Sequence, residues 1–117
     1  MSLYKELLVY KKSYNLVISL YKYTNELPEC ERYGLTSQIK RAAFSIPTNI
    51  AEGYGKEDTK QETKRYLRMS KGSCSELSVL VEICSDLGYM KMEHYEIYSK
   101  EIEEISKMLY GLIESLK

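Results

Sequence analysis

The chain has no tryptophan, one phenylalanine, one histidine and two prolines among 117 residues. So little proline and only six glycines fit a helical chain better than a β-sandwich or barrel. No apolar run approaches the ~20 residues that span a bilayer. The Met1-Ser2-Leu3-Tyr4-Lys5 start lacks the apolar segment of a signal peptide. Three cysteines, Cys30, Cys74 and Cys84, form no CxxC pair. Cys74 and Cys84 fall on one expected helix, ~15 Å apart along its axis, too far for a disulfide. Reduced thiols and a cytoplasmic location are therefore expected. Charge of one sign is missing too: 17 basic and 17 acidic side chains cancel. That excludes a uniformly basic nucleic-acid coat, but not a local patch.

What is present is tyrosine, twelve of them, each with an apolar ring and a polar tip suited to half-buried or shared surfaces. Helical periodicity is present as well. The spacing predicts four helices, over about 3–25, 36–52, 59–87 and 92–116, within one domain spanning 1–117. In the first, Leu3, Leu7, Tyr10, Tyr14, Val17 and Tyr21 lie on one seam, widened by Leu8 and Ile18. The second has Thr36 as expected N-cap, with an apolar face of Ile39, Ala42, Ala43, Ile46 and Ile50. Pro47 lies inside it and should kink it, and Gly53 and Gly55 bracket its exit. The third opens on a capping box, Thr59-Lys60-Gln61-Glu62, and stops at Gly88. Its seam is Thr63, Leu67, Ser70, Cys74, Leu77, Val81 and Cys84. Gly72 in its middle costs ~1 kcal/mol against alanine, which suggests close helix packing there. The fourth carries Tyr95, Tyr98, Ile102, Ile105, Leu109, Leu112 and Leu116. Links of about ten, six and four residues make the expected fold class all-α, an antiparallel up-down-up-down four-helix bundle.

Catalytic and metal constellations are missing. A di-iron bundle needs two Glu-x-x-His motifs, yet His94 stands alone without a glutamate three residues before it. No motif ties a serine or cysteine to His94, which reads as a surface or capping residue. Gly53 and Gly55 belong to no phosphate loop. The sequence therefore implies no enzyme, no cofactor and no metal site.

The neutral total hides an uneven distribution. Residues 1–35 carry +1, residues 36–75 carry +4, and residues 76–117 carry −5. Within the middle block, Lys60, Lys64, Arg68 and Lys71 recur at helical spacing, a basic stripe about a quarter-turn from the apolar seam. With Lys56 close by, it is a candidate nucleic-acid surface that follows phosphates without reading sequence. Tyr54 and Tyr66 are candidates for stacking on unpaired bases. The structural alternative is a face balanced by acids of the fourth helix or of another subunit.

The segment from Gln38 to Gly53, QIKRAAFSIPTNIAEG, is distinctive. It resembles the signature of bacterial four-helix bundle proteins encoded in intervening sequences of large-subunit (23S) ribosomal RNA genes. Tyr33-Gly34-Leu35-Thr36, the stretch from Tyr66 to Leu77, and Leu87-Gly88-Tyr89 resemble the same family. Lys56 stands where the family usually has arginine, Ser70 where it usually has alanine, and Lys71 is more polar than is common there. The resemblance implies a ring-like homopentamer and no established reaction. A bundle of similar fold, the accessory protein of diversity-generating retroelements, works with a reverse transcriptase and nucleic acid. By that analogy RNA or other nucleic acid is the expected partner; the alternative is a protein–protein interaction scaffold without a nucleic-acid role. The polar members of the motifs are Arg41, Asn49, Glu52, Ser73 and Glu76. They read as a structural or interface network that satisfies backbone near Pro47 and cross-links the second and third helices, with Arg41 pairing Glu76 or Glu52.

Overall fold

The structure, a computed structural model, describes residues 3–55 and 59–116, with only the backbone of Leu3. Four helices dominate it: α1 (Leu8–Tyr23), α2 (Leu35–Gly55), α3 (Lys60–Asp86) and α4 (Met92–Ser115). Short 3₁₀ turns occupy Leu3–Glu6, Thr24–Glu26 and Glu29–Glu31, and no strand occurs among the described residues. The helices pack as a four-helix bundle with neighbours in chain order, and α4 closes back onto α1.

Cross-links fix the direction of α2 and α3. Thr63 meets Gly53, Ser70 meets Ile46, and Glu76 meets Arg41. The α2 number falls as the α3 number rises, so the pair is antiparallel. Lys12 with Glu104 and Ser19 with Tyr98 show the same for α1 and α4.

The helix ends follow local chemistry. Thr59 Oγ1 accepts from the Glu62 amide at 3.2 Å, the N-terminal half of the expected box. At the other end of α3, Gly88 takes φ +79°. The Tyr89 amide then reaches the Cys84 carbonyl at 2.9 Å and the Gly88 amide reaches Ser85 at 3.0 Å, closing the last turn with a glycine in the left-handed region. The start of α2 differs from expectation. Thr36 lies inside the helix, and the Glu31 carboxylate accepts from the Leu35 amide at 3.2 Å. Glu31 also accepts from the Tyr89 hydroxyl at 3.2 Å, so one side chain ties the entry of α2 to the α3–α4 turn.

Every residue of the expected α3 seam is buried. The α1 seam is shifted. Val9, Ser13, Leu16, Leu20 and Tyr23 face the core together with Val17, while Tyr14 and Tyr21 remain 52% and 45% exposed. Leu8 and Ile18 are exposed as well. The observed seam is about a quarter-turn from the expected one. Leucine and valine carry no polar atom and go inward. The tyrosines, whose hydroxyls prefer water, are left at the α1–α2 edge. Ile113 joins the α4 core, where Leu112 was expected and is half-buried.

Gly53 is not at a turn. It is buried inside α2, where a Cβ would stand 3.1 Å from the Tyr66 Cβ and 3.3 Å from the Thr63 carbonyl oxygen. Its missing side chain sets how closely α2 and α3 approach. Gly72 is the reverse: it is exposed, and a Cβ there meets nothing within 4 Å. Packing between helices of this chain does not account for it.

Candidate functional site

The motif residues converge on the α2–α3 seam. Arg41 Nη2 and Glu76 Oε2 lie 3.0 Å apart in an exposed ion pair. The Ser45 and Ser73 hydroxyls are hydrogen-bonded across the seam. Deeper in, Ser70 donates to the Ile46 carbonyl at 2.8 Å and Thr63 to the Gly53 carbonyl at 2.9 Å. Ser70 and Thr63 were legible only as small seam positions; a buried hydroxyl must find an acceptor, and the backbone of α2 supplies it. Asn49 does not reach α3. Its amide donates to the Ser45 carbonyl at 2.8 Å, one turn back in α2 and close to Pro47. Glu52 is exposed on the same helix.

The basic stripe lies on the other flank of α3. Lys60 and Arg68 are exposed, and Lys64 and Lys71 half-buried. None of these four cations has an ion-pair partner among the described residues, although Arg65 beside them is held by Glu62 at 3.0 Å. Some basic groups elsewhere are paired, Lys12 with Glu104, Arg32 with Glu29, and Lys107 with Glu103, while others, such as Lys22 and Lys91, have no ion-pair partner among the described residues either. No acid of α4 forms an ion pair with the stripe among the described residues. Lys56 lies outside the described residues.

The two candidate stacking tyrosines sit elsewhere. Tyr54 packs against the hydrophobic core. Tyr66 lies on the α2 side of α3, beside Gly53, with the Arg65 guanidinium 4.5 Å from its ring centre. Neither shares the flank of the stripe. His94 packs edge-on against Tyr23 with ring centres 5.2 Å apart. No group of three or more histidine, cysteine or acidic residues among the described residues can hold a metal ion. No described helix is long and apolar enough to cross a membrane.

Between α3 and α4 a cleft of about 310 Å³ opens beside the stripe. Its floor includes Cys74, whose thiol burial pushes up to about 12, against the opposing pull of the Lys71 ammonium. Cys84 is likewise pushed up by burial, to about 11. Both thiols are therefore protonated and poor nucleophiles at neutral pH. A second groove, apolar and about 290 Å³, runs between α1 and α2, lined by Tyr10, Tyr14, Val17, Ile18, Phe44 and Pro47.

Comparison with known proteins agrees with this architecture. A solved structure from Bacteroides thetaiotaomicron VPI-5482, described as a protein with unknown function from the S23 ribosomal protein family, superposes with a TM-score of 0.81. It is 24% identical, and the alignment covers 91% of this chain and 98% of that one; at this identity the likeness speaks for the fold. No curated protein matches. Neither the family nor the solved neighbour is assigned a reaction. The family model described as 23S rRNA-intervening sequence protein matches residues 5–111, so the chain belongs to that family.

Proposed function

We propose that this chain is a non-enzymatic, cytoplasmic helical-bundle protein that binds nucleic acid, RNA in particular, through the flank of α3 bearing Lys60, Lys64, Arg68 and Lys71. One observation carries the reading: four cations in register on one helix, none with an ion-pair partner among the described residues. Isolated surface charges are usually solvated singly. A row of four cations without ion-pair partners among the described residues concentrates positive potential and attracts a phosphate chain, releasing counterions as it binds. The test is titration with a single-stranded RNA over a range of salt. Four neutralised phosphates give a slope of about −3 in log K against log salt. Lys64→Glu with Arg68→Glu should abolish binding at moderate salt. Binding that ignores salt, or no binding at low salt, overturns the reading.

We further propose that the protein works as a homo-oligomer, with the pentamer of the family resemblance as the expected ring. Two different apolar faces support this. One is the α1–α2 groove with Tyr14, Ile18 and Phe44, extended by Tyr21 packed edge-on against Phe44; the other is the outer side of α3, where Val79 and Ile83 are 55% and 40% exposed. Gly72 lies on that outer side with open space before it. Unlike faces that fit each other give head-to-tail contacts, which close into a ring when the rotation permits. Light scattering that reports a monomer at micromolar concentration overturns this part. The apolar α1–α2 groove also favours the second reading, a protein-interaction scaffold; a protein partner captured without nucleic acid would select it.

A further inference from the structure

Charge is sorted between the two exposed apolar faces. The helix α1 carries Lys11, Lys12 and Lys22 and no acid, and α2 carries Lys40 and Arg41 against Glu52. From Glu76 to Asp86, at the end of α3, the pattern inverts: Glu76, Glu82 and Asp86 stand there without a base. Lys12 pairs with Glu104 and Arg41 with Glu76. Lys22, Lys40, Glu82 and Asp86 have no ion-pair partner among the described residues.

Those four groups flank the apolar faces in matching ways. In the α1–α2 groove, Lys22 stands one turn beyond Ile18 and Lys40 one turn before Phe44. Both cations mark the same end, where Tyr21 packs edge-on against Phe44 and the Lys40 ammonium lies 4.2 Å from the Tyr21 ring centre. On α3, Glu82 follows Val79 and Asp86 follows Ile83 at three residues. Each face is an apolar pair with two like charges toward one end, positive on the groove and negative on α3.

Shape agrees with charge. Gly72 lies seven residues before Val79 on the outer side of α3, ~10 Å along the axis. About as far from Ile18, on the side away from the lysines, the groove presents Tyr10 and Tyr14. A helix that sets its acids beside the lysines brings its glycine over these rings, where a small residue permits close approach. Gly72 then has the packing role that its own chain does not supply.

We infer that the occupant of the α1–α2 groove is the outer face of α3 from a second copy of this chain. Val79 and Ile83 lie against Ile18 and Phe44, with Glu82 and Asp86 beside Lys22 and Lys40. This rests on the oligomer reading above and adds the mating surfaces and their direction, which the opposite charges fix. The two surfaces belong to different sides of one chain, so the contact is heterologous and each copy both gives and receives.

The experiment follows assembly by light scattering. Ile18→Asp with Phe44→Asp removes the groove, and Val79→Asp with Ile83→Asp removes the face; each variant alone should be monomeric. Mixed in equal amounts at high concentration, the two should form a heterodimer and stop there, because one intact groove and one intact face remain between them. Lys22→Glu with Lys40→Glu should weaken assembly about tenfold or more, and adding Glu82→Lys with Asp86→Lys to the same chain should restore it. Circular dichroism checks that each variant keeps its helices. An assembled wild type whose size neither aspartate variant alters overturns the pairing, leaves the oligomer reading in place and gives the groove to another kind of partner. A mixture that stays monomeric, or a charge exchange that restores nothing, also overturns the pairing. A monomeric wild type overturns the oligomer reading and the pairing together.

Discussion

The seams on the two sides of α3 both carry serines, yet they behave oppositely. On the α2 side, Thr63 and Ser70 bond to backbone carbonyls, Ser73 to Ser45, and Glu76 to Arg41. On the α4 side, Ser75, Ser78, Ser99 and Ser106 surround open space. The difference follows from backbone approach. Gly53 lets α2 come within van der Waals distance of Thr63 and Tyr66, and a hydroxyl is so short that it bridges helices only at such close range. On the α4 side the same residue type lines an open cleft. Hydroxyl content therefore does not reveal whether a seam is closed or open.

Substitutions can break or sharpen this contrast. Gly53→Leu should have the largest effect, because it drives a side chain into Tyr66 and the Thr63 backbone. Overpacking of this kind costs about 3 kcal/mol, read as a lower denaturant midpoint. Alkaline pH comes next and tests the floor between the two seams. The Cys74 thiol is held near 12 and Cys84 near 11, whereas in the unfolded chain both ionise near 9. The raised folded values give stability that is fully present below pH 9 and is lost as pH climbs toward 11–12. Denaturation midpoints at pH 7 and pH 10 check this, and Cys74→Ala with Cys84→Ala should flatten the decline. Under native conditions only the exposed Cys30 should react quickly with a thiol reagent.

Ser70→Ala should cost about 1 kcal/mol, since it removes a buried bond on the closed seam. Gly72→Ala should raise the stability of the isolated chain by about 1 kcal/mol, measured by thermal melting at a concentration where the chain is monomeric. If the outer face of α3 is covered in an oligomer, the same substitution weakens assembly. The smallest effect belongs to the open seam: Ser75→Ala with Ser99→Ala should shift stability by less than about 0.5 kcal/mol. A loss as large as that of Ser70→Ala would show that the cleft serines are bonded in solution and that the contrast between the flanks is false.

The helices were legible because their signals are local. The α3 seam from Thr63 to Cys84 and the Thr59 cap lie where periodicity and capping chemistry put them. The α1 seam was not legible, because two overlapping stripes compete there. Tyr10, Tyr14, Val17 and Tyr21 repeat as regularly as Val9, Leu16, Leu20 and Tyr23, and periodicity does not weigh a hydroxyl tip against a plain methyl. The candidate site was half legible. The cationic register is written in the chain, while the cleft needs residues 21 to 31 positions apart, such as Ser78 with Ser99 and Ser75 with Ser106, brought side by side.

By itself the sequence determined four amphipathic helices, their order, and a stripe of cations on α3, since each is a repeat within one helix. The tertiary structure decided which face of α1 is buried, which cations are ion-paired among the described residues, and which serines bridge and which stand open. Those outcomes depend on the distance between helices, and that distance is set jointly by side chains far apart in the chain, Gly53 and Tyr66 foremost among them.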